Sequence, residues 1–346
     1  MPTPPLGQLL ERKLALAVLR SPRAVGLFAK HRIERDGNVL DRQVQAVFQM
    51  ARLTGHRGAE EIGPVRYRRE LDAIGTTLGH VPPPMEEVRD LRFSGADGSS
   101  LCARLYVPYG VKRPSPGLIY FHGGGFVAGS IDSHDIVTRS LADEARCRVL
   151  SCEYRMAPEH PYPAAVLDGE AAFAFAVNEA TSLGLDATRL AVGGDSAGGN
   201  LSAVLASSVE KGKPGPMAQL LIYPAVDLTM SFPSIRNLGT GFMLEEAAIH
   251  WFRKQYAPEG TDLRAPRLSP YYAELKGAPR AIVVTAGFDP LRDEGRAFAE
   301  KLRAADVPTT LLEFGSLFHG FLHVGAIDAC REASSDVARA LRTVWA

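Results

Sequence analysis

Hydrophobic residues recur along this chain with two different spacings, which divide it into two parts. From about residue 3 to residue 80, apolar residues return every three to four positions, as at Val44, Val47 and Phe48, which predicts helices and almost no strand. A run of three prolines at 82–84 ends this part. We therefore expect a helical N-terminal section, residues 1–80, followed by a larger domain, residues 81–346.

The second part begins with two alternating stretches, 88–93 and 101–107, around a polar turn, which predicts an antiparallel hairpin at a sheet edge. Further strands are predicted at 117–121, 148–154, 189–193, 219–223, 280–286 and 309–314. Helices are predicted at 134–145, 163–182, 200–210, 291–304 and 327–344. This alternation favours an α/β fold, with a mostly parallel sheet covered by helices on both faces.

One interval, about 227–270, interrupts the alternation. It contains a Pro/Ser/Asn-rich segment and then an amphipathic stretch, 245–256, that includes Trp251 and Phe252. Such an insertion usually covers the active face, and together with the N-terminal helices it would form a helical cap. Trp251 and Phe252 are then expected to line a substrate pocket, although both could equally be core residues of a helical excursion.

Composition and charge narrow the class of partner. The chain has 346 residues, 46% of them hydrophobic, and 39 basic side chains balance 39 acidic ones. Without a net field there is nothing to attract nucleic acid or an anionic membrane, so a neutral small molecule is the expected substrate.

Two further features bear on metals and location. The four cysteines show neither a Cys-x-x-Cys pair nor a metal-ligand spacing, so we expect no zinc site and no disulfide framework. The apolar run at 14–19 is only six residues long and lacks a cleavage pattern, which predicts no signal peptide and no stable membrane insertion. A cytoplasmic protein is the expectation.

Candidate chemistry begins at the pentapeptide Gly194-Asp195-Ser196-Ala197-Gly198. A predicted strand precedes it and a predicted small-residue helix follows it, which is the context of a nucleophile elbow. The small neighbours allow the strand and the helix to approach each other, so that the Ser196 hydroxyl is presented to a substrate. Ser196 is the candidate nucleophile.

A second motif, His122-Gly123-Gly124-Gly125, follows another predicted strand. Three consecutive glycines lose much backbone entropy on folding, so they are better explained as exposed N–H donors than as a stabilising turn. We expect the N–H groups of Gly124, Gly125 and Ala197 to hold a substrate oxyanion. His122 is expected to orient this loop and not to act as a base.

A serine nucleophile requires a base and an acid that orients the base. His319 lies in a loop after the last predicted strand, and Asp289 directly follows the strand before it. The chain order serine, acid, histidine is that of α/β-hydrolases. Asp293 is the rival acid, more readily explained as a helix cap or a partner of nearby arginines, and His323 is the rival base, with a helical or packing role. The remaining histidines are expected to be structural or at the surface: His31, His56, His80, His134, His160 and His250.

Together these segments resemble the hormone-sensitive lipase family of α/β-hydrolases, with its HGGG box and GDSAGG elbow. The resemblance runs from about residue 82 to the C-terminus. It includes 154–165, YRMAPEHPYPAA, which is similar to a structural segment of the family, and 289–295, DPLRDEG, which matches its acid motif. The N-terminal section matches no motif of the family.

The resemblance implies a cofactor-free esterase that acts on short to medium acyl esters through an acyl-enzyme, and it is compatible with a homodimer through the sheet edge near the last strand. An amidase or deacetylase acting on small acyl amides remains an alternative, since amides pass through the same intermediates. A non-catalytic small-molecule receptor on the same fold is an alternative of a different class. A long-chain lipase is less favoured, because neither an extensive apolar lid nor a secretion signal is evident.

Overall fold

The computed structural model describes residues 13, 15–53, 55, 57–208 and 214–345. The N-terminal section is mainly helical, as predicted, but residues 3–12 and 14 of that prediction lie outside the described part, as does His56. Ser21 caps the first complete helix, because its Oγ accepts a hydrogen bond from the Ala24 N–H at 3.3 Å. The elements of the N-terminal section are α1 (Pro22–Phe28), β1 (Glu34–Arg35), β2 (Asn38–Val39), α2 (Arg42–Leu53) and α3 (Ala59–Leu78).

Two details of this section differ from the prediction. The strands β1 and β2 form a short antiparallel hairpin where almost no strand was expected, since two-residue strands leave no alternating pattern to detect. The helix α3 is interrupted at Gly63, whose φ of 74° is not helical, and Pro64 follows it. The chain therefore changes direction near the start of α3.

The central sheet has eight strands in the order β10-β9-β8-β7-β5-β6-β4-β3. Only the pairs β3–β4 and β4–β6 are antiparallel, and the other five are parallel. This confirms the mostly parallel α/β fold and the hairpin at its edge. The strands are β3 (Glu87–Ser94), β4 (Ser100–Val107), β5 (Ser115–Phe121), β6 (Arg148–Cys152), β7 (Leu185–Asp195), β8 (Ala218–Ile222), β9 (Arg280–Phe288) and β10 (Thr309–Phe318).

Helices cover both faces of this sheet. They are α4 (Asp135–Ala145), α5 (Ala164–Asn178), α6 (Ala180–Leu183), α7 (Ala197–Ser207), α8 (Ser234–Asn237), α9 (Glu246–Tyr256), α10 (Arg292–Ala304) and α11 (Asp328–Arg342), with 3₁₀ turns at Pro270–Tyr272 and Phe321–His323. The helices α4 and α11 pack together on one face, and α5 and α7 pack together on the other. In the part of the chain that is described, none of the helices combines the length and the apolar character needed to cross a membrane.

Two predicted helices have different bounds in the structure. The helix expected from residue 200 begins at Ala197, because the chain enters it directly from the sharp turn at Ser196. Residues 209 and 210, its expected end, lie outside the described part. The helix expected at 163–182 is divided at Glu179 into α5 and α6, and Gly184, with a φ of 68°, ends the second piece.

The N-terminal section shares its core with the sheet. Val44 and Phe48 of α2 belong to the same buried cluster as Leu220 of β8 and Phe318 of β10. The rings of Phe48 and Phe318 meet edge to face with their centroids 4.9 Å apart. This packing holds α2 beside the carboxyl ends of the strands, where the candidate residues lie.

Candidate active site

The three side chains proposed from sequence as nucleophile, base and acid lie directly after strands. Ser196 follows β7, Asp289 follows β9 and His319 follows β10. These strands run parallel within one part of the sheet, so their carboxyl ends meet at one edge. His319 Nε2 lies 3.0 Å from Ser196 Oγ, and its Nδ1 lies 2.9 Å from Asp289 Oδ2.

The backbone at Ser196 has φ 54° and ψ −116°, a conformation that L-residues rarely adopt. Such a conformation costs about 1–3 kcal/mol and persists only where the surroundings impose it. Here the Ser196 N–H donates to Ile222 O at 2.9 Å, and the Ala225 N–H donates to Ser196 O at 3.2 Å. A Cβ at Gly198 would lie 1.9 Å from Phe121 O, so the close approach of α7 to β5 requires glycine there.

Asp289 is fully buried and holds the imidazole in one orientation. Its Oδ1 accepts the Leu291 N–H at 2.8 Å, which leaves Oδ2 for His319. With Nδ1–H donating to this carboxylate, Nε2 carries the lone pair that faces Ser196 Oγ. The buried ring of Tyr223 packs against the imidazole with the two centroids 4.7 Å apart. Sequence reasoning missed Tyr223, because a tyrosine at a strand end has no motif of its own.

The glycines of the second motif lie beside Ser196. Within the described chain, the N–H groups of Gly124 and Gly125 donate to no other residue, whereas Gly124 O accepts from Val127 and Ala128. Gly125 has a φ of 64°, and a Cβ there would lie 2.4 Å from the ring of Phe252. The loop therefore has both the conformation and the space that only glycine provides. Ala197 is the first residue of α7, where N–H groups lack an intrahelical acceptor.

His122, expected to orient this loop, is fully buried behind it. Its Nδ1 lies 2.9 Å from Gly123 O, and its Nε2 lies 3.3 Å from Glu153 Oε2. Burial alone would lower the pKa of His122, but the adjacent Glu153 carboxylate outweighs burial and raises it. The Tyr154 hydroxyl donates to His122 O at 2.8 Å. These contacts fix the position of the motif.

A second buried polar group, unexpected from sequence, surrounds Asp195. Its Oδ1 accepts from Tyr120 Oη at 2.7 Å and from the Gly123 N–H at 3.0 Å, and His134 Nε2 lies 3.1 Å away. Burial lowers the pKa of His134 to about 4. Although burial favours a neutral Asp195, its neighbours His134 and His323 hold the pKa of that carboxyl well below its usual range. Positions so far apart in the chain leave no sequence signal.

The rival residues have other partners. Asp293 Oδ1 accepts from Arg292 Nε at 2.8 Å, and its Oδ2 accepts the Ser234 N–H at 3.1 Å. His323 lies in the 3₁₀ turn, with Nε2 3.6 Å from Asp195 Oδ2. Neither side chain takes part in the hydrogen-bonded chain of Ser196, His319 and Asp289.

A cavity of about 480 Å³ opens above Ser196 and His319. Apolar side chains from both the N-terminal section and the insertion line it, among them Phe48, Leu71, Leu244, Ile249 and Phe252. Trp251, expected to line it too, is not among the lining residues. Consecutive helix positions point about 100° apart, and the Trp251 indole instead packs edge-on against Phe252 at 5.3 Å.

The fold and the site together define a hydrolase class, and comparison with known proteins agrees. Residues 118–323, more than half of the chain, match a family model described as alpha/beta hydrolase fold. The chain belongs to the α/β-hydrolase family, and its relatives are of the hormone-sensitive lipase type.

The relatives are ester hydrolases. The chain is 42% identical over 300 residues to carboxylic ester hydrolase LipN of Mycobacterium tuberculosis, covering 84% of this chain and 78% of the relative. It is 36% identical over 266 residues to ethyl acetate hydrolase of Pseudomonas putida, covering 75% and 83%. An ester hydrolase from the metagenome of Lake Arreo, solved with a derivative of bipyridine phosphonate, superposes with a TM-score of 0.84 at 40% identity, covering 88% and 98%. The protein is a serine ester hydrolase of the carboxylesterase class.

Proposed function

We propose that Ser196, His319 and Asp289 are the catalytic triad of this carboxylic ester hydrolase. The observation that carries the proposal is the pair of hydrogen-bond distances that His319 makes, 3.0 Å to Ser196 Oγ and 2.9 Å to Asp289 Oδ2. In the proposed mechanism His319 Nε2 removes the hydroxyl proton while Ser196 Oγ attacks the ester carbonyl. Asp289 orients the imidazole and stabilises the imidazolium that forms.

The tetrahedral oxyanion would then be held by the N–H groups of Gly124, Gly125 and Ala197. Each such donor is typically worth a factor of about 10² to 10³ in rate. His319 returns its proton to the leaving alcohol, and an acyl-enzyme remains on Ser196. Water activated by the same imidazole adds to this acyl group and releases the acid.

We also propose that residues 1–80 and about 227–270 form a cap that selects short to medium acyl esters. Support comes from the lining of the cavity, since α2, α3 and α9 all contribute apolar side chains to it. The name of the relative that hydrolyses ethyl acetate agrees with a small ester. The amide and receptor alternatives are not favoured, because the similar proteins are named ester hydrolases.

The direct test is hydrolysis of p-nitrophenyl esters, from acetate to palmitate, by the native protein and by Ser196→Ala. We expect a maximum at short to medium chains and a loss of about 10⁴-fold or more in kcat for the variant. The control, Ser208→Ala, makes the same substitution at an exposed serine just beyond the C-terminal end of α7, and it should leave the rate unchanged. Hydrolysis that survives in Ser196→Ala would refute the triad, and a maximum at palmitate would refute the chain-length proposal.

Two features of the whole protein are proposed as well. All four cysteines are free, which is typical of a reducing compartment, and we propose the cytoplasm as its location. Fractionation of cells that produce the protein, followed by assay of each fraction, tests this. We also propose a homodimer that pairs through the sheet edge at β10.

A further inference from the structure

The group around Asp195 has a property that the proposed mechanism does not use. One carboxylate oxygen, Oδ1, accepts from Tyr120 and Gly123 and lies 3.1 Å from His134 Nε2, and the other, Oδ2, lies between two imidazoles. It lies 3.4 Å from His134 Nε2 and 3.6 Å from His323 Nε2. Asp195 and His134 are both at least 97% buried, being 3% and 1% exposed. A buried carboxylate therefore shares one small space with two ring nitrogens.

The spacing of these atoms suits a metal ion. Tetrahedral zinc holds nitrogen and oxygen ligands at about 2.0–2.2 Å, which places neighbouring ligand atoms about 3.3–3.5 Å apart. The two separations from Asp195 Oδ2 are 3.4 and 3.6 Å, and the ligand atoms of all three residues lie within 4.8 Å of one another. Small rotations of the His323 side chain, which is on a 3₁₀ turn, would bring its ring nitrogen to ligand distance from an ion held by the other two residues.

The surroundings of His134, Asp195 and His323 also suit a metal ion. A ligating histidine is normally oriented by a hydrogen bond to its other nitrogen, and His134 Nδ1 lies 2.8 Å from Ser133 Oγ. Asp195 is oriented in the same way through Oδ1. All three side chains border the cavity above Ser196, so an ion has a path of entry. The Gly123 N–H, 3.2 Å from His134 Nε2, can keep its other acceptor, Asp195 Oδ1.

We propose that His134, Asp195 and His323 bind a zinc-class divalent cation, through two imidazole nitrogens and one carboxylate oxygen, with a fourth position open to the cavity. The two imidazole ligands favour zinc and similar metals, because calcium and magnesium prefer oxygen ligands. Cysteine spacing predicts no zinc site in this chain, and these three ligands are too far apart in sequence for spacing to indicate one.

The bound cation acts as an inhibitor. It occupies cavity space beside Ser196 and binds the carboxylate whose other oxygen holds Gly123, next to the oxyanion glycines. This consequence rests on the proposed function, whereas binding itself does not. The two are therefore measured separately.

Binding is tested by titrating the chelator-treated full-length protein with Co²⁺ alone, since tetrahedral Co²⁺ absorbs visibly and reports its own geometry. We expect one equivalent to give a tetrahedral spectrum that Zn²⁺ displaces, because Zn²⁺ has a filled d shell and loses no ligand-field stabilisation in a tetrahedral site. His323→Phe and His323→Asn, each first checked for native near-UV circular dichroism, should weaken binding by at least about tenfold. The exposed His160→Phe is the matched control and should bind as the native protein does.

The second measurement is inhibition of ester hydrolysis by Zn²⁺ and its reversal by EDTA, with each variant compared with its own metal-free rate. Half-inhibition should need at least about tenfold more Zn²⁺ in the His323 variants. A spectrum that survives in both His323 variants, or is lost in His319→Asn, or is absent from the native protein, would overturn the proposal. If Ser196-dependent hydrolysis is not found, the proposed function fails, but the Co²⁺ titration still decides on the site.

Discussion

Two adjacent aromatic residues of α9 have different surroundings. Phe252 is 9% exposed, and its ring fills the space that a side chain on Gly125 would need. It also contacts Tyr67 of α3 with the two ring centroids 5.6 Å apart. Trp251 is only partly buried and does not line the cavity. Phe252 therefore limits the space beside Gly125, whereas Trp251 packs against Phe252 without lining the cavity.

This difference predicts unequal effects of truncation. Phe252→Ala enlarges the cavity beside Gly125, so the ratio of kcat/KM for long esters to that for short esters should rise by about tenfold or more. Trp251→Ala should leave that ratio within about twofold of the native value, because no lining surface is removed. The measurement is the p-nitrophenyl ester series for both variants. An equal shift in both, or an equal loss at every chain length, would argue against Phe252 as the residue that limits acyl length.

At the scale of elements, α3 is tied to the loop that follows the oxyanion glycines. Arg68 Nε donates to Val127 O at 2.7 Å, and its Nη2 donates to Ala157 O at 2.9 Å. The same guanidinium forms two hydrogen bonds with Glu159, at 3.0 and 2.7 Å. Glu159 belongs to the segment expected to be structural, and its partner lies in the N-terminal section. One side chain thus joins three backbone segments around the site.

We expect the ion pair between Arg68 and Glu159 to contribute to stability in a pH-dependent way. The hydrogen bonds from Arg68 lower the pKa of Glu159 from 4.5 to about 2. A depressed pKa in the folded state stabilises the protein above the unfolded value, and this contribution is lost as the pH falls from 4.5 towards 2. Glu159 is half exposed, so solvent screening limits the contribution to about 0.2–1 kcal/mol.

Urea unfolding of the native protein and of Glu159→Gln measures the contribution of the Arg68–Glu159 ion pair to the free energy of unfolding. The difference between their free energies of unfolding should be larger at about pH 6 than at about pH 3.5, because at the lower pH most unfolded chains have taken up a proton at Glu159 while the folded protein has not. The exposed Glu259→Gln serves as control and should show no such change. A difference that stays constant or grows at the lower pH would contradict the prediction.

At the scale of the whole molecule, the sheet ends in two edge strands, β10 and β3. An edge strand presents unpaired backbone groups that can pair with another chain. The strand β10 is ten residues long, and Thr310 and Glu313 are exposed in its first half. Near its end, Ser316 O already accepts the Asp41 N–H at 3.1 Å, so the first half is the part open to pairing.

We expect a dimer that pairs through β10. Light scattering after size exclusion should give twice the mass of one chain, falling towards one chain on dilution. Amide hydrogen exchange should then slow in β10 with rising protein concentration, while the other edge strand, β3, stays unchanged as an internal control. A monomer at every concentration excludes the dimer, and protection at β3 alone excludes the β10 interface.

Much of this fold and site could be predicted from sequence, because the signals involved are local. Most parallel strands of the large sheet contain an apolar run, the edge hairpin of β3 and β4 alternates, and each candidate catalytic residue directly follows a parallel strand. Once the strands are parallel, their carboxyl ends must meet, so Ser196, Asp289 and His319 are brought together by fold class and chain order alone. The position of Gly124 and Gly125 beside Ser196 could be predicted for the same reason, since their motif also follows a strand.

The remaining features depend on contacts between distant segments. The directions of the Phe252 and Trp251 side chains depend on neighbours that no sequence window contains. The strands β1 and β2 escape detection for another reason, since two residues leave no alternating pattern. Asp195 has two imidazole neighbours that are distant in sequence, since His134 lies 61 residues before it and His323 lies 128 residues after it. Local patterns in the sequence thus predict the class of the protein, the chain order of the candidate triad and the strands that precede its members. The surroundings of those residues follow only from the folded molecule, because burial, tilt and distance result from packing the whole chain.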